Sequence, residues 1–229
     1  MLPIYDITPF TVLDYPDNLS AIIWFSGCNY NCKYCYNQEL INKTQKRKTE
    51  KDVFSFLQKR KNFLDGVVLS GGECTLYNKI YDFIKEIKKL GYLVKIDTNG
   101  SNPDLLKVLI NDKLIDYVAM DFKATKNKFF QITGNKNFNF FEKSVDILLF
   151  SDIDYEFRTT LYPQIIDVEE IKNIIMYLQN KNYSKTYYVQ NYKNEKNQED
   201  MYFSYIIKNS LKQWINKSNI NFDIEFRNF

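Results

Sequence analysis

The chain reads as an α/β protein built on a parallel sheet with helices outside it, and three features of the sequence lead there. Short runs rich in β-branched and aromatic residues alternate with longer segments of helical period. There are six such β-α repeats, and their apolar character is nearly continuous, as in parallel strands covered on both faces. Right-handed crossovers would join them, and six fall short of the eight that close a standard barrel.

In chain order, Leu13-Asp14-Tyr15-Pro16-Asp17 reads as a turn ahead of the first strand. Residues 20–25, 66–70, 92–97, 116–121, 155–161 and 187–190 read as strands. Thr49-x-x-Asp52 has the form of a capping box and opens a helix carrying Val53, Phe56 and Leu57. Ile80, Phe83, Ile84 and Ile87 recur at helical spacing, and Gly91 stands where a helix C-terminal glycine belongs. Asn102-Pro103 supplies an N-cap and a first helical residue. Residues 145–150 close another helix, and Val168, Ile171, Ile175 and Leu178 share a face of the next. Residues 222–226 offer one further strand.

A chain of 229 residues with no linker composition fits a single domain, 1–229. Apolar residues make up 45% of it, enough for a substantial core, and no run approaches the length of a membrane span. We therefore expect a soluble, cytoplasmic protein that does not engage a membrane. The net charge of +3 is too small to argue for nucleic acid. The basic run over residues 43–51 has no interleaved aromatics for base stacking and reads as a solvated loop. Most of the aromatic residues read as core or surface filler, because they form no stacking ladder. The chain has no histidine, so the usual general base is missing and the chemistry falls to a cofactor.

That cofactor has an obvious seat. Cys28, Cys32 and Cys35 are spaced C-x3-C-x2-C on the loop leaving the first predicted strand. A cubane iron-sulfur cluster normally takes four thiolates, so a tight set of three leaves one iron open to another ligand. Zinc would want a fourth Cys or His, and Cys74 is the only other cysteine. Three cysteines within eight residues, with no signal peptide in view, do not make a disulfide framework either.

The remaining polar motifs follow one rule. Gly71-Gly72-Glu73, Asp97-Thr98-Asn99-Gly100, Asp121-x-Lys123, Arg158 and Gln190 each lie near the C-terminal end of a predicted strand, where parallel β/α folds bind ligands. Each also has a plainer reading. The glycines can form a tight turn. Asp97 and Asp121 can cap helices. Arg158 can sit in a structural ion pair. Cys74 reads as a small packing residue.

C-x3-C-x-aromatic-C, with Tyr34 before the third cysteine, resembles the signature of the radical S-adenosylmethionine (SAM) enzymes. The likeness extends to Ile7-Thr8-Pro9-Phe10-Thr11-Val12-Leu13-Asp14-Tyr15-Pro16, Gly27-Cys28-Asn29, Ser70-Gly71-Gly72-Glu73, Asp97-Thr98-Asn99-Gly100, Asp116-Tyr117-Val118-Ala119-Met120-Asp121-Phe122-Lys123 and Phe157-Arg158-Thr159-Thr160. In that order they resemble the activating proteins of anaerobic ribonucleoside-triphosphate reductase. The likeness covers about residues 1–190 and leaves 191–229 as a C-terminal extension without a match. It implies an open partial (β/α)6 barrel.

The resemblance implies roles residue by residue. Cys28, Cys32 and Cys35 would hold a [4Fe-4S] cluster, and Tyr34 would support the adenine of SAM. Gly71, Gly72 and Glu73 would meet the SAM amino group through their backbone. Asp97 would face the ribose, Asp121 the amino group, and Lys123 and Arg158 the carboxylate. Gln190 would border the same site. Asp97, Thr98, Asp121 and the Ala119 carbonyl would also ring a monovalent cation. Tyr36 stands where such proteins usually have histidine, and Cys74 where they have proline.

The activity so implied is reductive cleavage of SAM, with an electron from a flavodoxin or ferredoxin-type donor. It would generate a glycyl radical on a partner enzyme, an anaerobic ribonucleotide reductase. Two competitors stand beside it: a radical SAM enzyme acting on a small molecule or peptide, and a non-catalytic iron-sulfur binding module. The module needs the cysteines but not Asp97, Asp121, Lys123 and Arg158 together.

Overall fold

The computed structural model describes residues 1–41, 47–192 and 198–229. Eight strands, β1 (Ile4–Thr11), β2 (Ser20–Phe25), β3 (Gly66–Gly71), β4 (Leu93–Thr98), β5 (Tyr117–Asp121), β6 (Asp154–Leu161), β7 (Tyr187–Asn191) and β8 (Ile224–Arg227), form one sheet in strictly sequential order. β2 to β4 and β6 to β8 pair in parallel. β1 runs antiparallel to β2.

The chain packs into two compact units. The first comprises residues 1–31, 35–119 and 137–155. Its helices are α1 (Glu50–Arg60), α2 (Ile80–Lys89), α3 (Pro103–Asn111) and α5 (Phe138–Leu149). Thr49 and Asp52 make the expected reciprocal capping box at the start of α1. Asn102 accepts from the Leu105 N–H ahead of Pro103 at the start of α3. Ile80, Phe83, Ile84 and Ile87 are the buried face of α2, and Gly91, at φ +92°, receives the chain beyond its end. A small cluster of Tyr15, Ile22 and Val68 is joined by Trp24 and Tyr117, so the residue read as part of an N-terminal turn is in fact a buried core ring.

The second unit comprises residues 32–34, 120–136 and 156–229. It holds α4 (Lys126–Thr133), α6 (Val168–Asn180) and α7 (Gln198–Ile215). In α6, Ile171, Ile175 and Leu178 of the predicted face are buried together with Ile174, whereas Val168, at the first turn, is only half-buried. Phe157, Tyr183, Tyr187 and Val189 are buried in the same unit, with the Phe157 and Tyr183 rings 5.1 Å apart.

Strand boundaries fall within a residue or two of those read from the sequence. The strand the sequence did not disclose is β1. Asp6, Thr8 and Pro9 break its apolar pattern, and proline is tolerated because β1 is an edge strand and Pro9 falls in the register shift between Thr8 and Thr11. Residues 43–46 of the basic run lie outside the described residues, and α1 begins at Glu50, inside its expected end. No helix among the described residues is long and apolar enough to cross a membrane.

Candidate active site

In the first unit, backbone hydrogen bonds anchor the start of the loop leaving β2. Ser26 N–H donates to the Pro3 carbonyl at 2.9 Å, Gly27 N–H to Leu40 at 2.5 Å and Cys28 N–H to Ile41 at 3.2 Å. The Cys28 sulfur accepts from its own loop, from Tyr30 N–H at 3.4 Å, and from the Asn99 amide at 3.8 Å. Asn99 also donates to the Asn29 side chain at 2.9 Å, so the end of β4 and the cysteine loop are tied by two contacts. N–H groups aimed at sulfur favour the thiolate, which is the form a metal binds. Cys28 and Cys35 are half-buried, Cys32 is buried, and all are free thiols. Tyr36, where a polar histidine role was in question, is 54% exposed.

The exit of β3 lies directly on this loop. A Cβ on Gly72 would stand 2.1 Å from the Gly27 carbonyl oxygen, and one on Gly71, at φ +118°, 2.3 Å from that of Phe25. No side chain fits either gap. The following N–H groups close the contact, Gly72 donating to Phe25 and Glu73 to Gly27, both at 2.8 Å. The carboxylate of Glu73 turns inward. It accepts from Thr75 N–H at 3.0 Å, Thr75 Oγ1 at 2.5 Å, Thr98 Oγ1 at 2.9 Å and Asn99 N–H at 2.6 Å. Burial pushes its pKa up, against the pull of those donors. Glu73 and Thr98 thus brace the ends of β3 and β4 with their side chains.

Asp97, beside them, accepts from Ser70 Oγ at 2.9 Å and lies 3.6 Å from the ammonium of buried Lys95. Lys95 in turn donates to the Asp14 carbonyl and sits over the Tyr117 ring. Cys74 is fully buried and its thiol is pushed well up by desolvation, so it behaves as packing.

In the second unit, Asp121 at the end of β5 stands between two cations. Arg158 Nε donates to its Oδ1 at 2.6 Å and Lys123 Nζ to its Oδ2 at 2.9 Å. Burial by itself would raise the Asp121 pKa, but Arg158 and Lys123 outweigh it and hold the carboxyl below the usual carboxylate range. Burial likewise works against the Lys123 ammonium and is outweighed by Asp121, so Lys123 titrates higher than usual. Tyr34 lies near this group with its hydroxyl kept neutral by desolvation and its ring stacked on Tyr162, centroids 6.0 Å apart. The Tyr34 hydroxyl is buried and has no hydrogen-bond partner among the described residues.

β6 carries a second acid on the same face as Arg158. Glu156 is 2% exposed, is 4.0 Å from Arg158 and is held by both terminal nitrogens of Arg227 at 3.1 Å. Gln190 is half-buried, paired in register with Thr160 on one side and Arg227 on the other.

Among the described residues no three Cys, Asp or Glu side chains form a group able to hold a metal on their own. The donor set still fits an iron-sulfur cluster: three thiols on one short loop, one of them already receiving N–H donors. The unpartnered phenol of Tyr34 and an acid flanked by two cations fit a zwitterionic ligand. The sequence concealed Asn99 as a sulfur contact, Glu156 and Arg227. Glu156-x-Arg158 was the available signal, two opposite charges on one strand face.

A parallel sheet with such a loop after its first parallel strand defines a class of enzyme that works through an iron-sulfur cluster and SAM, and the comparisons agree. The family model described as the radical SAM superfamily matches residues 22–178. A Methanocaldococcus jannaschii protein described as a glycyl-radical enzyme activating enzyme is 34% identical over 73% of the chain and 72% of its own length. The pyruvate formate-lyase-activating enzyme of Clostridium pasteurianum is 27% identical over 77% of each. Among solved structures, Streptococcus suis SuiB bound to S-adenosylmethionine superposes with a TM-score of 0.65 at 16% identity, over 90% of the chain, which spans about half of SuiB (52%). The chain belongs to the radical SAM superfamily, in its family of glycyl-radical enzyme activating enzymes.

Proposed function

We propose that the chain uses a [4Fe-4S] cluster on Cys28, Cys32 and Cys35 to cleave SAM and so generates a glycyl radical on an anaerobic ribonucleoside-triphosphate reductase. The observation that carries the site reading is Asp121 between Lys123 and Arg158. The methionine end of SAM is a zwitterion. One carboxylate would face its ammonium and two cations its carboxylate, so the charges of these three side chains complement those of the ligand. A [4Fe-4S] cluster held by Cys28, Cys32 and Cys35 would supply the one electron that reductive cleavage of SAM requires.

The residues of the chain do the positioning. Gly71 and Gly72 let the β3 backbone approach the ligand, and Glu73 and Thr98 keep that backbone in place. Asp97 receives the ribose hydroxyls, Tyr34 the adenine, and Gln190 borders the site. The electron comes from a flavodoxin or ferredoxin-type protein. The choice of reductase as partner rests on the motif order described above, while the relatives named as activating enzymes support the wider class.

The test mixes the reconstituted protein, SAM and reductant anaerobically with the ribonucleotide reductase of the same source. A doublet glycyl-radical EPR signal on the reductase is the expected result. Formation of 5′-deoxyadenosine without a radical on that reductase overturns the partner. Absence of the radical from every glycyl-radical enzyme of the organism would favour a small-molecule or peptide substrate.

A further inference from the structure

We infer that Arg227, on the last strand and beyond the family-matched residues, is a positioning residue for the SAM site: by neutralising Glu156 it leaves Arg158 on Asp121. The inference rests on the reading of Asp121, Lys123 and Arg158 as SAM contacts.

Glu156 and Arg158 are two apart on β6 and so project from one face of the sheet. The register continues that face, with Arg158 beside Tyr188 on β7 and Gln190 beside Arg227 on β8. On it, charges alternate from the C-terminal strand inward: Arg227, Glu156, Arg158, Asp121, Lys123. Arg227 grips both oxygens of Glu156 at 3.1 Å, a planar fork on a planar acid, while its guanidinium carbon lies 3.3 Å from the centre of the Tyr188 ring.

Arg158 therefore has both Asp121, at 2.6 Å, and Glu156, at 4.0 Å, within reach. A carboxylate that is 2% exposed cannot turn to water for compensation. Once Arg227 is gone, Glu156 draws on Arg158, whose guanidinium then tilts off Asp121. The loss is felt at the SAM carboxylate through Arg158. Removing the Glu156 charge as well should cancel the competition, because the acid that competes is no longer there.

The experiment compares Arg227→Gln, Glu156→Gln, the double variant and Asp121→Ala, each reconstituted anaerobically and checked for iron content. For Arg227→Gln we expect full iron and SAM binding weakened about tenfold, one charge-assisted contact's worth. The double variant should return to within about threefold of the parent, a rescue that a general loss of packing would not give. In cluster-free protein the unfolding midpoint should follow the same order, lowered in Arg227→Gln and restored in the double variant. Parental SAM affinity in Arg227→Gln, or a double variant as weak as the single, overturns the inference while Asp121→Ala still loses SAM. Parental affinity in Asp121→Ala overturns the SAM-site reading itself and the inference with it.

Discussion

Asp121→Asn removes one charge and almost no volume, so its cost isolates the electrostatics of the site. Two charge-assisted hydrogen bonds end on this carboxylate, at 2.6 Å from Arg158 and 2.9 Å from Lys123, each worth about 1.5–3 kcal/mol when its partner is charged. The amide still accepts one of them. The side chains are 24% (Asp121), 16% (Arg158) and 18% (Lys123) exposed, which lets water solvate part of the cationic pair left behind. Together these place the loss near the lower bound for a broken buried pair, about 3 kcal/mol. In a chain of this size that is a fall of about 6–12 °C in Tm. The pH profile adds a second check. The native Asp121 pKa is depressed, so its contribution is complete above the unfolded value of about 4 and disappears as pH falls through the native one. The native Lys123 pKa is raised, so its contribution holds below about pH 10 and disappears as pH rises through its native value. The gap between parent and variant should therefore be flat from about pH 5 to 9 and shrink in acid. Thermal unfolding of the cluster-free proteins over that range measures it. A fall under about 2 °C at neutral pH, or a gap that grows in acid, would refute the reasoning.

Gly72→Ala should disturb the cysteine loop, because its Cβ would meet the Gly27 backbone at 2.1 Å; a loss of at least about 2 kcal/mol and lowered iron retention are expected by denaturant unfolding and iron analysis. Replacing Cys28, Cys32 or Cys35 by Ala should abolish iron binding, whereas Cys74→Ala should keep it and cost only packing. Buried Cys74, its thiol pushed up by desolvation, should also resist alkylation at neutral pH until the chain unfolds, as mass spectrometry can establish. Arg158→Lys should weaken SAM binding by about tenfold with iron content unchanged, since a point charge does not reproduce the planar guanidinium fork; equal affinity would return Arg158 to a purely structural role.

The elements legible in the sequence were those written locally. Thr49-x-x-Asp52, Asn102-Pro103 and the spacing of Ile80, Phe83, Ile84 and Ile87 each need only a few neighbouring residues, and each forms as read. The cysteine loop and the polar strand ends were legible for the same reason. β1 was hidden because an edge strand tolerates Pro9 and shifts of register. The inward turn of Glu73 was hidden because two of its partners, Thr98 and Asn99, sit at the end of another strand. The grip of Arg227 on Glu156 spans 71 positions, and no spacing rule links residues so far apart.

The sheet's sequential order has a consequence for how the protein is made. Every strand's new neighbour is the one synthesised just before it, so no pairing waits for a distant segment of chain. During translation β3 can lie down on β2 as soon as it emerges, closing Gly71 and Gly72 over the cysteine loop while Asp121, Arg158 and Arg227 are still to come. The loop proposed to hold iron is thus shaped early, while the proposed SAM contacts Asp121, Lys123 and Arg158 belong to chain that is made later.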